Sequence, residues 1–409
     1  MTTEPDTEEP TPGMTECRVC RTAVPEGEYC GLCGLPLKDH AAKGPDWLRV
    51  RAYSASPGEH LLRPNIVSSL FPHLAPSSRV PFMVGLGVLL AALIAATLFR
   101  LPAALITVAA LGLPLLFLIY LQESDVYDDV PTGTLVTTAG LGIGLGVGWV
   151  LLTGAMIAQA YDVGLGVGIA GSRVLRDGLG VPIGGLLLML TPAVLVRMVR
   201  PGERESLDGF AIGALGALMF TAAAQMTRLA PQFSGGMVAR GRPMSGLFVE
   251  AGIRGIAVPL TAAAVGGLIG TALWFTRPEN KKHQHRNYVR IALTVFALAV
   301  MTMYGLLGLV DIARMPQLLQ LTLHLVVAAA ALLALRVGLH LALLHEAHDE
   351  ILSDEPLLCP HCGHVVPDMA FCVACGAATR ASSRKSRQTR RDTRPVRTDV
   401  DPPPGSEPS

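Results

Sequence analysis

Long apolar runs, separated by short polar connections, fill most of the chain. Half of the 409 residues are hydrophobic and only 16% are charged. A helix that crosses a bilayer needs about 20 consecutive apolar residues. Eight stretches of that kind are present: 82–99, 101–121, 134–158, 179–199, 210–230, 247–275, 289–310 and 318–344. The pattern predicts an all-α polytopic membrane protein with about eight transmembrane helices.

The connections between these stretches indicate how the chain is oriented. An even number of spans leaves both ends on one side, although 161–176 is expected to be an additional re-entrant or interfacial helix. Arginine and lysine are concentrated on the side of the N-terminus, at 49–79, 200–204 and 277–286 and in the C-terminal tail. The positive-inside rule therefore predicts a multi-pass protein of the cell (inner) membrane with both termini in the cytoplasm. The connection 122–130 departs from this rule because it is acidic.

Glycine recurs within two of the apolar regions, at every second position of 140–148 and again over 164–171. These glycines lie in helical runs with no strand before them, so a phosphate-binding loop is a poor interpretation. Close packing of helices through small residues is the better one.

All eight cysteines fall into two clusters with the same spacing. Each cluster has two CxxC pairs separated by nine residues, and the ligand candidates are Cys17, Cys20, Cys30, Cys33, Cys359, Cys362, Cys372 and Cys375. Four thiolates can surround Zn²⁺ tetrahedrally, and each CxxC turn presents two of them. The spacing predicts two structural zinc ions, one in a small four-cysteine zinc ribbon at each end of the chain.

Glycines beside the cysteines fit such turns. Gly34, Gly363 and Gly376 follow the last cysteine of three CxxC pairs, and Gly31 follows the first cysteine of the pair that Gly34 closes. All four are expected to supply backbone freedom. Disulfides are the alternative, but residues 1–13 lack the basic and apolar segments of a cleavable signal peptide. Thiols in the cytoplasm stay reduced, which favours metal.

These features divide the chain into six regions. They are a disordered acidic tail (1–13), the N-terminal ribbon (14–40), a linker (41–78), the transmembrane domain (79–350), the C-terminal ribbon (356–378) and a disordered basic, Pro-rich tail (379–409). Domains as short as the ribbons cannot bury enough apolar surface alone, so metal supplies their folding energy. The basic tail is expected to be solvated and to reinforce orientation, with anionic lipid as the alternative partner and nucleic acid disfavoured.

Ionisable residues inside apolar helices are costly and mark functional candidates. Glu250 and Arg254 lie one helical turn apart and form either a structural pair or a substrate contact. The last span contains secondary metal candidates: His324, His340, His345, His348 and Asp349. The alternative for the last three of these is a polar exit of the helix into the cytoplasm, where cationic side chains suit its C-terminus.

One segment resembles a known family. The charged stretch 200–206, followed by Leu207-Asp-Gly209 and a glycine-rich helix that reaches Phe220, is similar to PrsW-type intramembrane metalloproteases. The stretch from Arg254 through Pro259 to Ala262 resembles a later helix of that family. The likeness covers roughly residues 80–345, and it implies a helical membrane core with an intramembrane metal site.

The family's catalytic residues are missing at the matching positions. Its paired glutamates have no counterpart in 181–191, Ala224 stands where its FxxxE motif has glutamate, and Ala262 stands where it has histidine. A zinc hydrolase needs an open metal site and a general base. The resemblance therefore implies a pseudoenzyme that has kept only the membrane scaffold.

Three functions follow as hypotheses. The first is a non-catalytic scaffold or regulator that lies in the bilayer and contacts membrane or cytosolic proteins through its ribbons. The second is a divergent intramembrane metalloprotease that uses Glu250, His324 or the cluster at 340–349. The third is a small-solute transporter in which the Glu250–Arg254 pair and His324 form the gate or proton site.

Overall fold

The computed structural model describes residues 13–37, 66–72, 76–124, 126–161, 175–199, 205–231, 244–275, 286–313, 315–346, 356–359, 362–378 and 384–392. Its α-helices are α1 (Ile66–Leu70), α2 (Pro76–Leu98), α3 (Pro102–Glu123), α4 (Val126–Asp129), α5 (Thr132–Tyr161), α6 (Val181–Val199), α7 (Ser206–Leu229), α8 (Met244–Ala251), α9 (Val258–Trp274), α10 (Arg286–Ile312), α11 (Gln317–His345) and α12 (Arg384–Asp392). Two π-helical turns, π1 (Arg176–Gly180) and π2 (Gly252–Ala257), lead into α6 and α9. The predicted helix at 161–176 lies largely outside the described residues.

The eight predicted spans are confirmed as helices. Within the described residues, eight helices are long and apolar enough to cross a membrane: α2, α3, α5, π1 with α6, α7, α8 with π2 and α9, α10, and α11. The chain is therefore a helical, multi-pass membrane protein. Its small strands belong to the two ribbons alone among the described parts of the chain.

Helix α7 is the centre of the bundle, and most of its residues are buried. It meets α9 backbone to backbone. A Cβ atom on Gly213 would overlap the carbonyl group of Gly266, and one on Gly270 would overlap that of Gly209. Helices come this close only where both present small residues.

The glycine-rich helix α5 packs on another face of α7. A Cβ atom on Gly142 would lie 2.7 Å from the carbonyl oxygen of Gly216, and one on Gly146 would lie 2.5 Å from that of Phe220. Gly144, which lies between them, has nothing within 4 Å of its Cβ position. The predicted packing role is thus confirmed at one face of this helix.

An aromatic cluster ties α1 to the bundle. The Phe71 ring centroid lies 5.2 Å from those of both Phe82 and Tyr120. Phe117 joins the cluster and makes an edge contact with Phe210 of α7. The predicted linker 41–78 therefore contains a short helix and a buried anchor that the sequence pattern did not reveal.

Each ribbon is built on a small antiparallel hairpin. Strand β1 (Met14–Glu16) pairs with β2 (Ala23–Pro25), and β3 (Pro356–Leu358) pairs with β4 (Val365–Pro367). The register matches between the two, since Thr15 faces Val24 just as Leu357 faces Val366. The two ribbons are structural repeats of one another.

The helix contact at α7 predicts a position-specific effect of one methyl group. We expect Gly213→Ala to destabilise the protein by about 1–3 kcal/mol, because the added Cβ atom overlaps the backbone of α9. Thermal unfolding of the purified protein in detergent, followed by circular dichroism, measures the change.

Gly144→Ala is the matched control on the open face of α5. It should not lower the melting temperature, because alanine favours a helix over glycine by about 0.5–1 kcal/mol. Equal melting temperatures for the two variants would contradict this packing.

Candidate functional site

The four cysteines of each ribbon converge on one point. Their sulfur atoms all lie within 4.8 Å of one another in each cluster, and these are the two metal-capable groups found among the described residues. The Sγ atoms of Cys17 and Cys33 are 3.7 Å apart, and those of Cys359 and Cys375 are 3.8 Å apart. Tetrahedral thiolates with zinc–sulfur bonds of about 2.3 Å are separated by roughly 3.8 Å. The donor set and spacing fit a tetrahedral metal ion.

Left-handed residues close the CxxC turns. Gly34, Gly363 and Gly376 have φ angles of 69°, 68° and 71°, as predicted for three of the turns. The fourth turn uses Arg21, whose φ angle is 50°. The expectation for Gly31 was wrong, since it is not among the described residues with positive φ.

Crowding of the sulfur atoms changes their acidity. Hydrogen bonds with Cys20 and Cys33 lower the pKa of Cys30 to about 2. Hydrogen bonds with Cys20 and Cys30 raise the pKa of Cys33 far above its usual range. In the other ribbon, a hydrogen bond with Cys359 raises the pKa of Cys372 to about 11. Without a metal, one thiolate is held by its neighbours' protons, so a bound metal ion has to displace those protons.

The two ribbons pair through their backbones. The N–H groups of Glu28 and Tyr29 donate to the carbonyl oxygen of Val373 at 2.9 and 3.0 Å, and the N–H of Phe371 donates to that of Gly31 at 2.8 Å. Tyr29 and Phe371 occupy the same position in the two repeats, as do Gly31 and Val373. The contact is thus reciprocal and close to twofold symmetric. It joins the two ends of the chain into one ribbon pair.

Glycines permit this close contact. A Cβ atom on Gly31 would overlap the side chain of Met369, which explains a glycine there without a positive φ. A Cβ atom on Gly376 would lie 3.0 Å from the ring of Tyr29. Sequence spacing revealed each ribbon, but it carried no sign that the ribbons touch.

The basic tail contributes helix α12, which attaches the ribbon pair to the membrane domain. The Glu205 carboxylate accepts hydrogen bonds from the guanidinium groups of Arg387 at 2.6 Å and Arg384 at 3.2 Å. The backbone N–H of Arg384 donates to the Asp129 carboxylate, in the acidic connection that broke the positive-inside pattern. Glu205 and Arg387 are almost fully buried, so each carries a charge that needs the other as its partner.

The same helix also reaches the C-terminal ribbon. Arg391 donates to the Asp368 carboxylate at 2.9 Å. The expectation of disorder throughout 379–409 is therefore wrong for 384–392, because the carboxylates of Glu205 and Asp368 neutralise arginines of this helix. These arginines thus pair with carboxylates of the protein itself. A contact between the rest of the tail and anionic lipid stays a prediction.

A further carboxylate caps the start of α7. Glu346, which follows α11, accepts hydrogen bonds from the backbone N–H of Ser206 at 2.7 Å and from its hydroxyl at 2.9 Å. Negative charge at a helix N-terminus is favourable because it satisfies free N–H groups and opposes the helix dipole. The N-terminus of the central helix is thus the point where the last span, the tail helix and α4 meet.

The C-terminal end of α7 borders a cavity of about 820 Å³. This cavity lies in the half of the bundle remote from the ribbon pair, between α5, π1, α6, α7, α8, π2, α10 and α11. Much of its wall is apolar, but polar side chains from several helices also line it: Gln225, Arg228, Glu250, Arg254, Asp311 and His324. Placing polar and charged side chains among apolar membrane helices costs free energy, so a polar cavity there is a functional candidate.

Ionisable side chains pair with one another in this cavity. Glu250 and Arg254 are 3.6 Å apart, as their spacing on one helix predicted, although their functional role stays a prediction. Asp311 accepts hydrogen bonds from Gln320 at 2.9 Å and pairs with His324 at 2.9 Å. The sequence analysis missed Asp311 because its position at the end of a span is typical of an ordinary helix terminus.

A π-helical turn also shapes the cavity. The side-chain amide of Gln225 donates to the carbonyl oxygen of Arg254, within π2, at 3.2 Å. Widened turns of this kind are frequent at functional sites because they disturb the regular backbone hydrogen bonds. The Oε1 atom of Gln225 and the Nδ1 atom of His324 are buried and have no hydrogen-bond partner among the described residues.

The remaining histidine candidates do not join this site. His340 is buried further along α11, and His345 is exposed at the end of that helix with its Nδ1 atom 2.9 Å from the Leu341 carbonyl oxygen. His348 and Asp349 lie outside the described residues. Among the described residues, no histidine belongs to a three-ligand group.

Comparison with protein-family models, with curated proteins and with solved structures finds no match for this chain. The resemblance to PrsW-type proteases therefore rests on the sequence motifs alone. Ala224, at the position where that family has glutamate, lines the cavity, and Ala262, at the position where it has histidine, is fully buried.

The buried ion pair at the start of α7 predicts a non-additive response. Removing one partner of a buried pair leaves an uncompensated charge and costs about 3–5 kcal/mol. We expect Glu205→Gln and Arg387→Gln each to abolish amide protection in 384–392, measured by hydrogen–deuterium exchange and mass spectrometry. The double variant should lose no more than the worse single variant.

Asp392→Asn is the control for this experiment, because Asp392 is exposed at the end of the same helix. It should leave the exchange pattern of the tail unchanged. Full protection of 384–392 in the Glu205→Gln variant would contradict the observed attachment.

Proposed function

We propose that this protein is a non-catalytic, PrsW-like membrane scaffold or regulator that contacts protein partners through a cytosolic zinc module. The observation that carries the proposal is the path from the ribbon pair through Arg391 and Arg387 to Glu205 at the start of α7. A partner that moves the ribbon pair would act directly on the central helix of the membrane domain. Metal-stabilised ribbons suit this task because they are rigid and small.

Zinc is the proposed ion in both ribbons. Four cysteines around one point form a closed structural site, with no position left for substrate or water. The ions would stabilise each hairpin and thereby the backbone contact between the hairpins. No reaction is expected at the cysteines.

The zinc assignment predicts both a stoichiometry and a pH dependence. Purified protein should contain two zinc ions per chain, and Cys30→Ser and Cys372→Ser should each contain one or fewer, measured by elemental analysis. Zinc affinity should fall as the pH falls, because the ion replaces thiol protons such as the one on Cys33.

His364→Ala is a suitable control, because His364 lies beside Cys362 without belonging to the cluster. It should retain both ions. A third zinc ion in the wild-type protein would contradict the non-catalytic proposal and favour a metalloprotease that uses His324.

The proposed location is a bacterial inner membrane with both termini in the cytoplasm. An even number of spans, here eight among the described residues, would leave the two termini on the same side of the membrane. The hydrogen bonds between the two ribbons also require them to be on the same side. The surplus of arginine and lysine on that side, together with the need for reduced thiols, supports the cytoplasm.

This topology predicts that fluorescent-protein fusions at the N-terminus and at the C-terminus are both fluorescent in bacterial cells. Alkaline phosphatase fused at either end should be inactive, whereas phosphatase inserted in the connection 232–240 should be active. Activity at either end would overturn the proposed orientation.

Both alternative functions would place their site in the cavity at the end of α7. Glu250 and His324 line the same cavity, so a divergent protease or a small-solute transporter would use that site and not the end of α11. Neither alternative requires the ribbon pair, which is why the scaffold is the preferred proposal.

A further inference from the structure

The dyad of Asp311 and His324, whose imidazole is buried and whose carboxylate is about half exposed, sets the hydrogen-bonding character of the cavity. The Asp311 carboxylate is 2.9 Å from Nε2 of His324, and a carboxylate accepts hydrogen bonds, so the Nε2–H group donates to it. In that tautomer of the imidazole, Nδ1 is a hydrogen-bond acceptor. His324 is 2% exposed, and Nδ1 has no partner among the described residues, so its lone pair has no other group to satisfy it.

Gln225 supplies a second acceptor of the same kind. Its amide nitrogen donates a hydrogen bond to the Arg254 carbonyl oxygen at 3.2 Å, so Oε1 is the acceptor that remains available. Oε1 is buried and also has no partner among the described residues. Buried acceptors are normally satisfied, so this cavity requires hydrogen-bond donors.

A cation lies next to these acceptors. Arg228 is one helical turn beyond Gln225 on α7, so the two side chains share a face of that helix. Its guanidinium group is exposed, makes no hydrogen bond or ion pair among the described residues, and interacts electrostatically with Asp311. A ligand that donates hydrogen bonds deep in the cavity would meet a positive charge nearby.

The rest of the wall favours an apolar body. Trp149, Phe220, Leu247 and Leu307 contribute to it, and the volume of about 820 Å³ is in the range of small-molecule sites. The cavity therefore combines unsatisfied acceptors, a nearby cation and apolar surface.

We propose that this cavity binds an amphiphilic zwitterion in which a primary ammonium group lies beside an anionic group. The ammonium group donates to Nδ1 of His324 and Oε1 of Gln225, and the anionic group faces Arg228. Two sources share this chemistry: the headgroup of an aminophospholipid and a free apolar amino acid. The inference goes beyond the scaffold function and does not depend on the zinc module.

Native mass spectrometry of the full-length protein tests the proposal. The protein is presented with equimolar phosphatidylethanolamine and phosphatidylglycerol, which share a phosphate and differ in the ammonium group. We expect at least about tenfold preference for phosphatidylethanolamine, since each hydrogen bond to a charged group contributes that order of affinity. Addition of leucine, with displacement of lipid or a leucine adduct as the readout, distinguishes a soluble source.

Variants assign the preference to the cavity. Gln225→Leu and His324→Phe should reduce the preference for the ammonium lipid to near one, whereas Arg228→Gln should weaken both lipids equally. Gln122→Leu, exposed at the opposite end of the bundle, is the matched control and should retain the wild-type preference. Thermal unfolding in detergent, followed by circular dichroism, verifies that each variant is folded.

The outcomes separate cleanly. A preference for phosphatidylethanolamine, or a leucine adduct, that is lost in Gln225→Leu or in His324→Phe supports the proposal and names the source. A preference that both variants retain overturns it, because the ligand then binds outside the cavity. Equal binding of the two lipids without a leucine adduct, or no binding of any probe, also overturns it, and the wild-type protein alone gives that result.

Discussion

Three backbone hydrogen bonds between the first and last ribbons constrain the whole architecture. They join Glu28 and Tyr29 to Val373, and Phe371 to Gly31, across nearly the full length of the chain. This contact requires both ribbons to lie on one side of the membrane, which is consistent with the eight spans found among the described residues. The proposed zinc ions would serve this contact, because hairpins this small need metal to present a fixed backbone edge.

The attachment of the ribbon pair to the bundle depends on buried charge. A carboxylate such as Glu205 is costly to bury, and two arginines from the tail helix offset that cost. Removing one partner of such a pair lowers the stability of the protein by more than the intact pair adds to it. The pair therefore disfavours every position of the tail helix in which Glu205 would be buried without an arginine. The helix that begins at this position ends beside the cavity at Arg228, so α7 spans the distance between the two candidate functional regions.

Local patterns in the sequence predicted the parts, and long-range contacts decided their assembly. Apolar run length was enough to find eight spans, and cysteine spacing was enough to find two four-sulfur clusters. The ribbon pair, the tail helix and the dyad of Asp311 with His324 depend on segments far apart in sequence. One clue was present: the acidic connection that contradicted the orientation rule contains Asp129, a partner of the basic tail. An acidic segment on the side of the membrane where basic residues are expected can thus indicate a contact with a basic segment elsewhere in the chain.

The central claim is that two ends of the chain form one zinc-dependent module. Photo-crosslinking from benzoylphenylalanine at Tyr29, in the full-length protein, tests it most directly because this ring packs on Gly376 of the other ribbon. The account predicts crosslinks to peptides from 369–376 in the zinc-loaded protein and their loss after chelation. Fully zinc-loaded protein that gives no crosslink to the C-terminal ribbon would contradict it.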